Sequence, residues 1–235
     1  MESGLGKKVL LFSGGMDSVV AWRYLGEPFC VHVTGHSRYS GAELDSACDF
    51  FYRNSVQYAS VDMTWLQRFE EPDATIPLRN AHFAMIGAHY GDKVYIPCQL
   101  GEQSIPDRSP AFFAEMTVVL TQLTGRTIVV SPVFPHMTKQ DMLHWYLKKG
   151  FSLEDIHKAY SCFSDTGERC GSCAACFRTA IALDYCHVLP DNYFERDIWK
   201  WEGIQEYITK LQDGKYEPHR TRQTLNVLRK RGLVS

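Results

Sequence analysis

The sequence has no apolar run long enough to span a bilayer. It also has no charged start followed by a long apolar core, so neither a membrane anchor nor an export signal is read from it and a cytoplasmic setting is expected. Strong charge of one sign is missing as well. The 25 Lys and Arg nearly balance the 27 Asp and Glu, and a net charge of −2 removes the electrostatic footprint of a general nucleic-acid binder. No internal repeat and no low-complexity segment is present, which excludes a solenoid. Two phosphate-binding signatures are absent: no Gly-Lys-Ser/Thr closes a Walker loop, and no G-x-G-x-x-G marks a dinucleotide fold. Cysteine, in contrast, is not scarce. Eight cysteines without an export signal favour metal binding for any clustered subset. The 235 residues, 45% hydrophobic and 22% charged, suit one soluble domain with a large core, or one domain with a small appendage.

The chain is organised around Ser13-Gly14-Gly15-Met16-Asp17-Ser18. An apolar run, Val9 to Phe12, reads as a buried strand before it, and Val19 to Leu25 reads as a helix after it. A strand, a glycine turn and a helix start together make an anion site, because unpaired N–H groups and the helix dipole favour negative charge there. Gly14 and Gly15 let the backbone approach a phosphate, and Ser13 and Ser18 add hydroxyl donors. Asp17 is suited to hold magnesium between phosphates rather than to touch them. The plain alternative is a helix start with Asp17 in its first turn. The six residues resemble the S-G-G-x-D-S loop of the N-type ATP pyrophosphatases, which cleave ATP between its α and β phosphates.

Further along, strands are expected at Phe29–Val33, Ser55–Val61, Val94–Ile96 and Thr127–Val130, with the sheet ending near Pro132. Helices are expected over Gly41–Arg53, from Pro77-Leu78-Arg79-Asn80 to Tyr90, from Pro110 to near Gly125, and over Thr138–Lys149. Five strands alternating with helices predict an α/β fold with a doubly wound parallel five-stranded sheet, Rossmann-like and similar to adenine nucleotide alpha hydrolases. Residues 1–135 form that domain, and 136–235 form a helical C-terminal part. Ligands of such sheets bind beyond the carboxyl ends of the strands, where the glycine loop and His36 to Tyr39 lie. His32 reads as a structural histidine within its strand.

Cys162, Cys170, Cys173 and Cys176 have the spacing C-x7-C-x2-C-x2-C. Two-residue gaps let successive thiolates wrap one tetrahedral zinc, and four sulfurs fill its shell, so the zinc is structural. An iron–sulfur cluster, a disulfide pair or free thiols are the competing readings. Cys30, Cys48, Cys98 and Cys186 read as small core residues. The tail from Asp191 suits an amphipathic helix, and its basic end, His219 to Arg231, reads as solvated charge.

Taken together, the glycine loop and the cysteine cluster resemble the 7-cyano-7-deazaguanine synthase family. The resemblance runs from about Lys7 to Leu183. It takes in Arg38 to Asp45, Asp62-Met63-Thr64, Pro77 to Asn80, Pro106-Asp107, Ser131-Pro132, Tyr160-Ser161-Cys162 and Cys170 to Arg178. It implies an enzyme that uses ATP with Mg2+ to adenylate the carboxylate of 7-carboxy-7-deazaguanine. Ammonia then displaces AMP to give an amide, and a second ATP carries the amide to the nitrile. Asp17, Arg79 and Asp107 are the implied catalytic set. Ser13, Gly14, Gly15, Met16, Asp17, Ser18 and Arg38 are the implied nucleotide-binding set, and the four cysteines hold Zn2+. No glutaminase-like cysteine motif is read, so free ammonia is the expected nitrogen source; a homodimer is the assembly considered, with no nucleic-acid or membrane partner.

Several departures from the family pattern stand out. In the loop after the fourth strand, an acidic position is Gly101 and the arginine position is Ser109, with Arg108 one residue earlier. Leu78 stands where the family usually has glycine. An enzyme of the same scaffold that stops at the amide, or that adenylates a nucleic acid or protein, is therefore the first alternative. A non-catalytic nucleotide-binding module is the second. Arg79 is also compatible with a solvated helix start, and Lys139 reads as solvated charge rather than as a phosphate ligand.

Overall fold

A computed structural model describes residues 6–234. Its first half alternates strand and helix: β1 (Lys8–Leu11), α1 (Met16–Tyr24), β2 (Phe29–Thr34), α2 (Ser40–Asn54), β3 (Tyr58–Asp62), α3 (Arg79–Tyr90), β4 (Lys93–Gln99), α4 (Pro110–Thr124) and β5 (Val129–Phe134). The strands form one parallel sheet in the order β3-β2-β1-β4-β5. The order reverses between β1 and β4, so the segments that leave those two strands flank the crevice where such sheets bind ligands.

Side chains alternate across the sheet with the period of two that strands impose. Val9, Leu11, Val31 and Val94 face α3 and α4, in a core closed by Ala84, Ala88, Phe113 and Leu120. Leu10, Phe12 and Cys30 face the other way, onto α1, α2 and α5 (Lys139–Lys148) through Val20, Phe50 and Leu143. Past α6 (Leu153–Lys158), α7 (Ala174–Tyr185), α8 (Ile204–Gln212) and α9 (Pro218–Lys230) build a third apolar cluster around Cys176, Phe177, Tyr207 and Leu228.

The structure departs from the sequence reading in several places: β3 begins three residues later than expected, at Tyr58, and β4 runs three residues further, to Gln99. β5 continues to Phe134, four residues past the expected end at Val130, because Pro132 is tolerated on an edge strand whose outer side needs no N–H. The basic tail is not simply solvated. Lys230 and Arg231 both reach the buried Asp184, at 3.3 and 2.8 Å, and His219 reaches Asp141 at 3.0 Å. His32 meets expectation: it is buried, with Nδ1 2.8 Å from the Phe12 carbonyl, and burial holds it neutral by lowering its pKa.

Candidate functional site

The glycine loop joins β1 to α1 and is tied down from several sides. Gly14 has φ +84°, and a Cβ there would come within 2.5 Å of the Glu43 carbonyl oxygen, so only glycine fits. The Gly14 carbonyl accepts from Ser46 Oγ at 2.8 Å and from the Tyr160 N–H at 3.1 Å. The Ser13 N–H donates to Ser18 Oγ at 3.0 Å, and the Met16 N–H donates to Ser161 Oγ at 3.3 Å. Met16 itself is buried. Tyr160 and Ser161 immediately precede Cys162, so the cysteine cluster and the glycine loop are one hydrogen-bonded unit.

Asp17 lies in the first turn of α1, and its Oδ1 is 2.8 Å from Lys139 Nζ. Lys139 is not solvated as expected; its side chain is only 12% exposed. It comes from the first turn of α5, which is fixed by a capping box between Thr138 and Asp141. A carboxylate paired to a lysine beside an anion cradle can bind a divalent cation while the ammonium turns to a bound oxyanion.

The loop after β4 supplies the opposite wall. Glu102 accepts from the Gln99 N–H at 3.2 Å and pairs with Arg108 at 2.5 Å. Burial pushes the Glu102 pKa up, but Arg108 and Arg178 outweigh it, so the carboxylate stays ionised; Glu102 in turn raises Arg108. Arg108, which the sequence shows one residue before the family's arginine position, thus meets Glu102, the residue after Gly101. Arg108 and Cys98 both lie close enough to Asp17 to feel its charge. Between β5 and α4, beside this loop, is a groove of about 590 Å³ lined by Arg108, Gln99, Gln103, Phe113, Val130 and Pro132, within the size range of small-ligand sites. The buried Gln99 Oε1 has no hydrogen-bond partner among the described residues.

Of the other predicted residues, Asp107, in the loop after β4, reaches across to the first turn of α3. Its Oδ2 accepts the Asn80 N–H at 3.3 Å, and its carbonyl accepts from Asn80 Nδ2 at 3.0 Å. Arg79 is half-buried and donates to Tyr39 Oη at 3.2 Å. Arg38 pairs with Glu70 at 3.0 Å and donates to the Phe163 carbonyl at 3.4 Å. A buried group that sequence reasoning missed lies beneath them: His36 Nε2 is 3.5 Å from Glu43 Oε2. Desolvation raises Glu43 to about 8, against the pull of Arg79, and lowers His36 to about 3, so both are neutral near pH 7. Nothing in the local sequence marks this pair; it arises only when the loop after β2 folds back on α2.

Cys162, Cys170, Cys173 and Cys176 place their sulfurs within 4.8 Å of one another. The Cys162–Cys170, Cys162–Cys173 and Cys170–Cys176 separations are 3.5, 4.0 and 3.9 Å. A tetrahedron with ~2.3 Å metal–sulfur bonds requires about 3.8 Å. Backbone N–H groups of Ser164, Ser172 and Cys176 donate to Cys162, Cys170 and Cys173 at 3.3 to 3.4 Å, which suits thiolates. The donor set fits a closed four-sulfur metal site. No helix among the described residues is long and apolar enough to cross a membrane.

Comparison with known proteins agrees with this arrangement. The family model described as "Queuosine biosynthesis protein QueC" matches residues 68–186. A 7-cyano-7-deazaguanine synthase of Persephonella marina is 31% identical over 138 residues, 54% of this chain and 59% of the relative. The proteins of that name from Acidobacterium capsulatum and Methanothermobacter thermautotrophicus are 26% and 24% identical over 225 residues. Those alignments cover 77% and 80% of this chain, and 97% and 100% of theirs. Since the family match takes in just over half of the chain, with the loop after β4 and all four cysteines inside it, this chain belongs to the QueC family.

Proposed function

We propose that this chain is an ATP-dependent C–N ligase that converts 7-carboxy-7-deazaguanine and ammonia to 7-cyano-7-deazaguanine. The observation that carries the reading is the braced glycine loop with Asp17 at its head, opening onto the crevice between β1 and β4 in a QueC-family chain. ATP would seat its phosphates on Ser13 to Ser18, with Mg2+ on Asp17. Lys139, released from Asp17, would neutralise phosphoryl charge as pyrophosphate leaves. The heterocycle would lie in the groove beside Phe113, with Gln99 and Arg108 as polar partners. Arg79 would face the carboxylate, Asp107 would hold the start of α3 in place, and Arg38 would border the nucleotide side. Activation is required because a carboxylate or amide oxygen leaves poorly without adenylation. The protein's contribution is position and charge, since the rest of the barrier falls once the partners are aligned.

The four cysteines would hold Zn2+, which supplies a rigid thiolate-bound staple and no reaction step. Residues 1–135 would carry the nucleotide chemistry and 136–235 the metal cluster. A cytoplasmic homodimer using free ammonia completes the reading.

Asp17→Asn tests it. Asn and Asp rank together at helix starts, so a merely structural Asp17 would tolerate the change. As a metal ligand, its loss should reduce pyrophosphate release at least about a hundredfold. Equal rates in wild type and variant would remove the enzyme reading. A related reading, an enzyme that stops at the amide or takes another substrate, draws on Gly101 and on the shifted Glu102–Arg108 pair. Mass analysis of the product distinguishes amide from nitrile.

A further inference from the structure

Helix α9 reaches back to the loop after β4. Arg220, in its first turn, donates to the Gly101 carbonyl at 3.2 Å and to Tyr207 Oη at 2.6 Å, and lies 4.7 Å from the Tyr216 ring centroid. Gly101 has φ +89°, and a Cβ there would come within 3.1 Å of the Arg220 side chain. The side chain missing from position 101 therefore leaves the space that Arg220 occupies.

Arg220 joins Lys139 and Arg178 on the wall of a small cavity of about 20 Å³. That exceeds the ~10–15 Å³ a single water requires and is far too small for a whole nucleotide. Gln99, Gln140, Tyr207 and Thr224 complete its polar wall, and no carboxylate lines it. Of the nearby acids, Asp17 pairs with Lys139, and Glu102 feels Arg178 and Lys139 although its direct contacts lie elsewhere. Glu102 faces Arg108 and the Gln99 N–H, and Glu217 caps α9 through the N–H groups of His219 and Arg220. Arg178 has no hydrogen-bond or ion-pair partner among the described residues. Lys139 is paired with Asp17, so it is Arg178 and Arg220 whose mutual repulsion across the cavity an entering anion would offset.

We propose that Arg220 is a specificity-determining residue that completes, with Lys139 and Arg178, a receptor for one oxyanion of the ligands, either a phosphoryl group or a carboxylate. Only the naming of those ligands rests on the ligase reading. Lys139 touches Asp17 as well, which sets this receptor next to the glycine loop. A guanidinium can meet either anion with paired N–H donors, and an uncharged amide in its place cannot.

Calorimetric titration of the zinc-loaded full chain tests this, with inorganic pyrophosphate and 7-carboxy-7-deazaguanine as separate probes. Arg220→Gln should weaken one of them about tenfold or more, the scale of a hydrogen bond to a charged group, and Arg220→Lys should recover part. Loss confined to pyrophosphate assigns the receptor to a phosphoryl group, and loss confined to the carboxylate probe assigns it to the substrate. Unchanged affinity for both, at unchanged zinc content and melting temperature, overturns the proposal. The wild type gives a second measurement that stands even if the variant does not fold. Either anion should slow modification of Arg220 by phenylglyoxal, followed by mass spectrometry, and modification indifferent to both also overturns it. Neither measurement needs turnover, so a chain that binds the anions through Arg220 without cleaving ATP sinks the ligase reading alone.

Discussion

Leu78 holds φ 63° and ψ 7° at the start of α3, with 67% of its surface exposed. A residue with a Cβ pays roughly 1–2 kcal/mol in the left-handed region, which explains why glycine is the usual family residue at this point. Because little is buried, Leu78→Gly should be neutral or stabilising by up to about 1 kcal/mol, since glycine's greater unfolded entropy offsets part of the relief. That is a rise of at most about 2–4 °C in a melting experiment. A clear fall would show that the leucine side chain makes contacts that matter. Glu43 offers a pH test. Its folded pKa, near 8, lies above the ordinary carboxyl value of about 4.3. Folding therefore takes up a proton between those values, and the group's contribution to stability declines as pH rises through that window. Glu43→Gln should leave stability at pH 4.5 close to wild type and raise it at pH 8, read from melts at both. Equal shifts at the two pH values would show that Glu43 is ionised in the fold. Residue types at Arg79, Asn80 and Asp107 were legible in the sequence. Their partners were not: Asp107 reaches Asn80 from 27 positions away, and no local spacing encodes that contact.

At the scale of elements, the readable features were those with local causes. The helix expected over Thr138–Lys149 is α5, and Thr138 caps it with Asp141 as its return partner. β5 overran its expected end because edge position, which decides whether Pro132 is tolerated, depends on strand order. The segment Tyr160-Ser161-Cys162 shows what sequence could not: the chain entering the cysteine cluster braces the glycine loop through the Tyr160 N–H to the Gly14 carbonyl at 3.1 Å and through the Ser161 hydroxyl, which accepts the Met16 N–H at 3.3 Å. Ser161→Ala should keep the metal yet weaken MgATP about fivefold, the worth of a ~1 kcal/mol hydrogen bond. Chelation should do more, lowering both melting temperature and MgATP affinity, because it frees Cys162 and the two residues before it. MgATP affinity that is unchanged in the serine variant would show that the loop holds its shape unaided.

Across the whole molecule, the alternation of strands and helices made the parallel sheet legible, whereas the strand order that sets β1 beside β4 was not. The docking of the tail was not legible, because Lys230 and Arg231 read as surface charge until Asp184 is seen buried across from them. Arg231 meets Asp184 with Nε at 2.8 Å and Nη2 at 2.9 Å, and its guanidinium lies 4.8 Å from the Trp199 ring. Burial raises the Asp184 pKa, yet Arg231 and Lys230 outweigh it and leave it lowered. Replacing both cations with glutamine strands a buried carboxylate. A fully buried pair broken this way costs about 3–5 kcal/mol, and since Arg231 is 37% exposed the expected loss is nearer ~1–3 kcal/mol. Hydrogen exchange should then quicken in α9 and, through Arg220, in residues 99–109, while β1 and β4 stay protected. The effect also has a pH signature. A lowered carboxyl pKa stabilises the fold above the unfolded value of about 3.9, and this contribution is lost as pH falls through the folded value. The gap between wild type and the Lys230→Gln, Arg231→Gln variant should therefore be widest near neutrality and narrow below about pH 4. A gap that persists unchanged into acid would mean that α9 is held by its apolar face, Val227 and Leu228, rather than by the charges at its end.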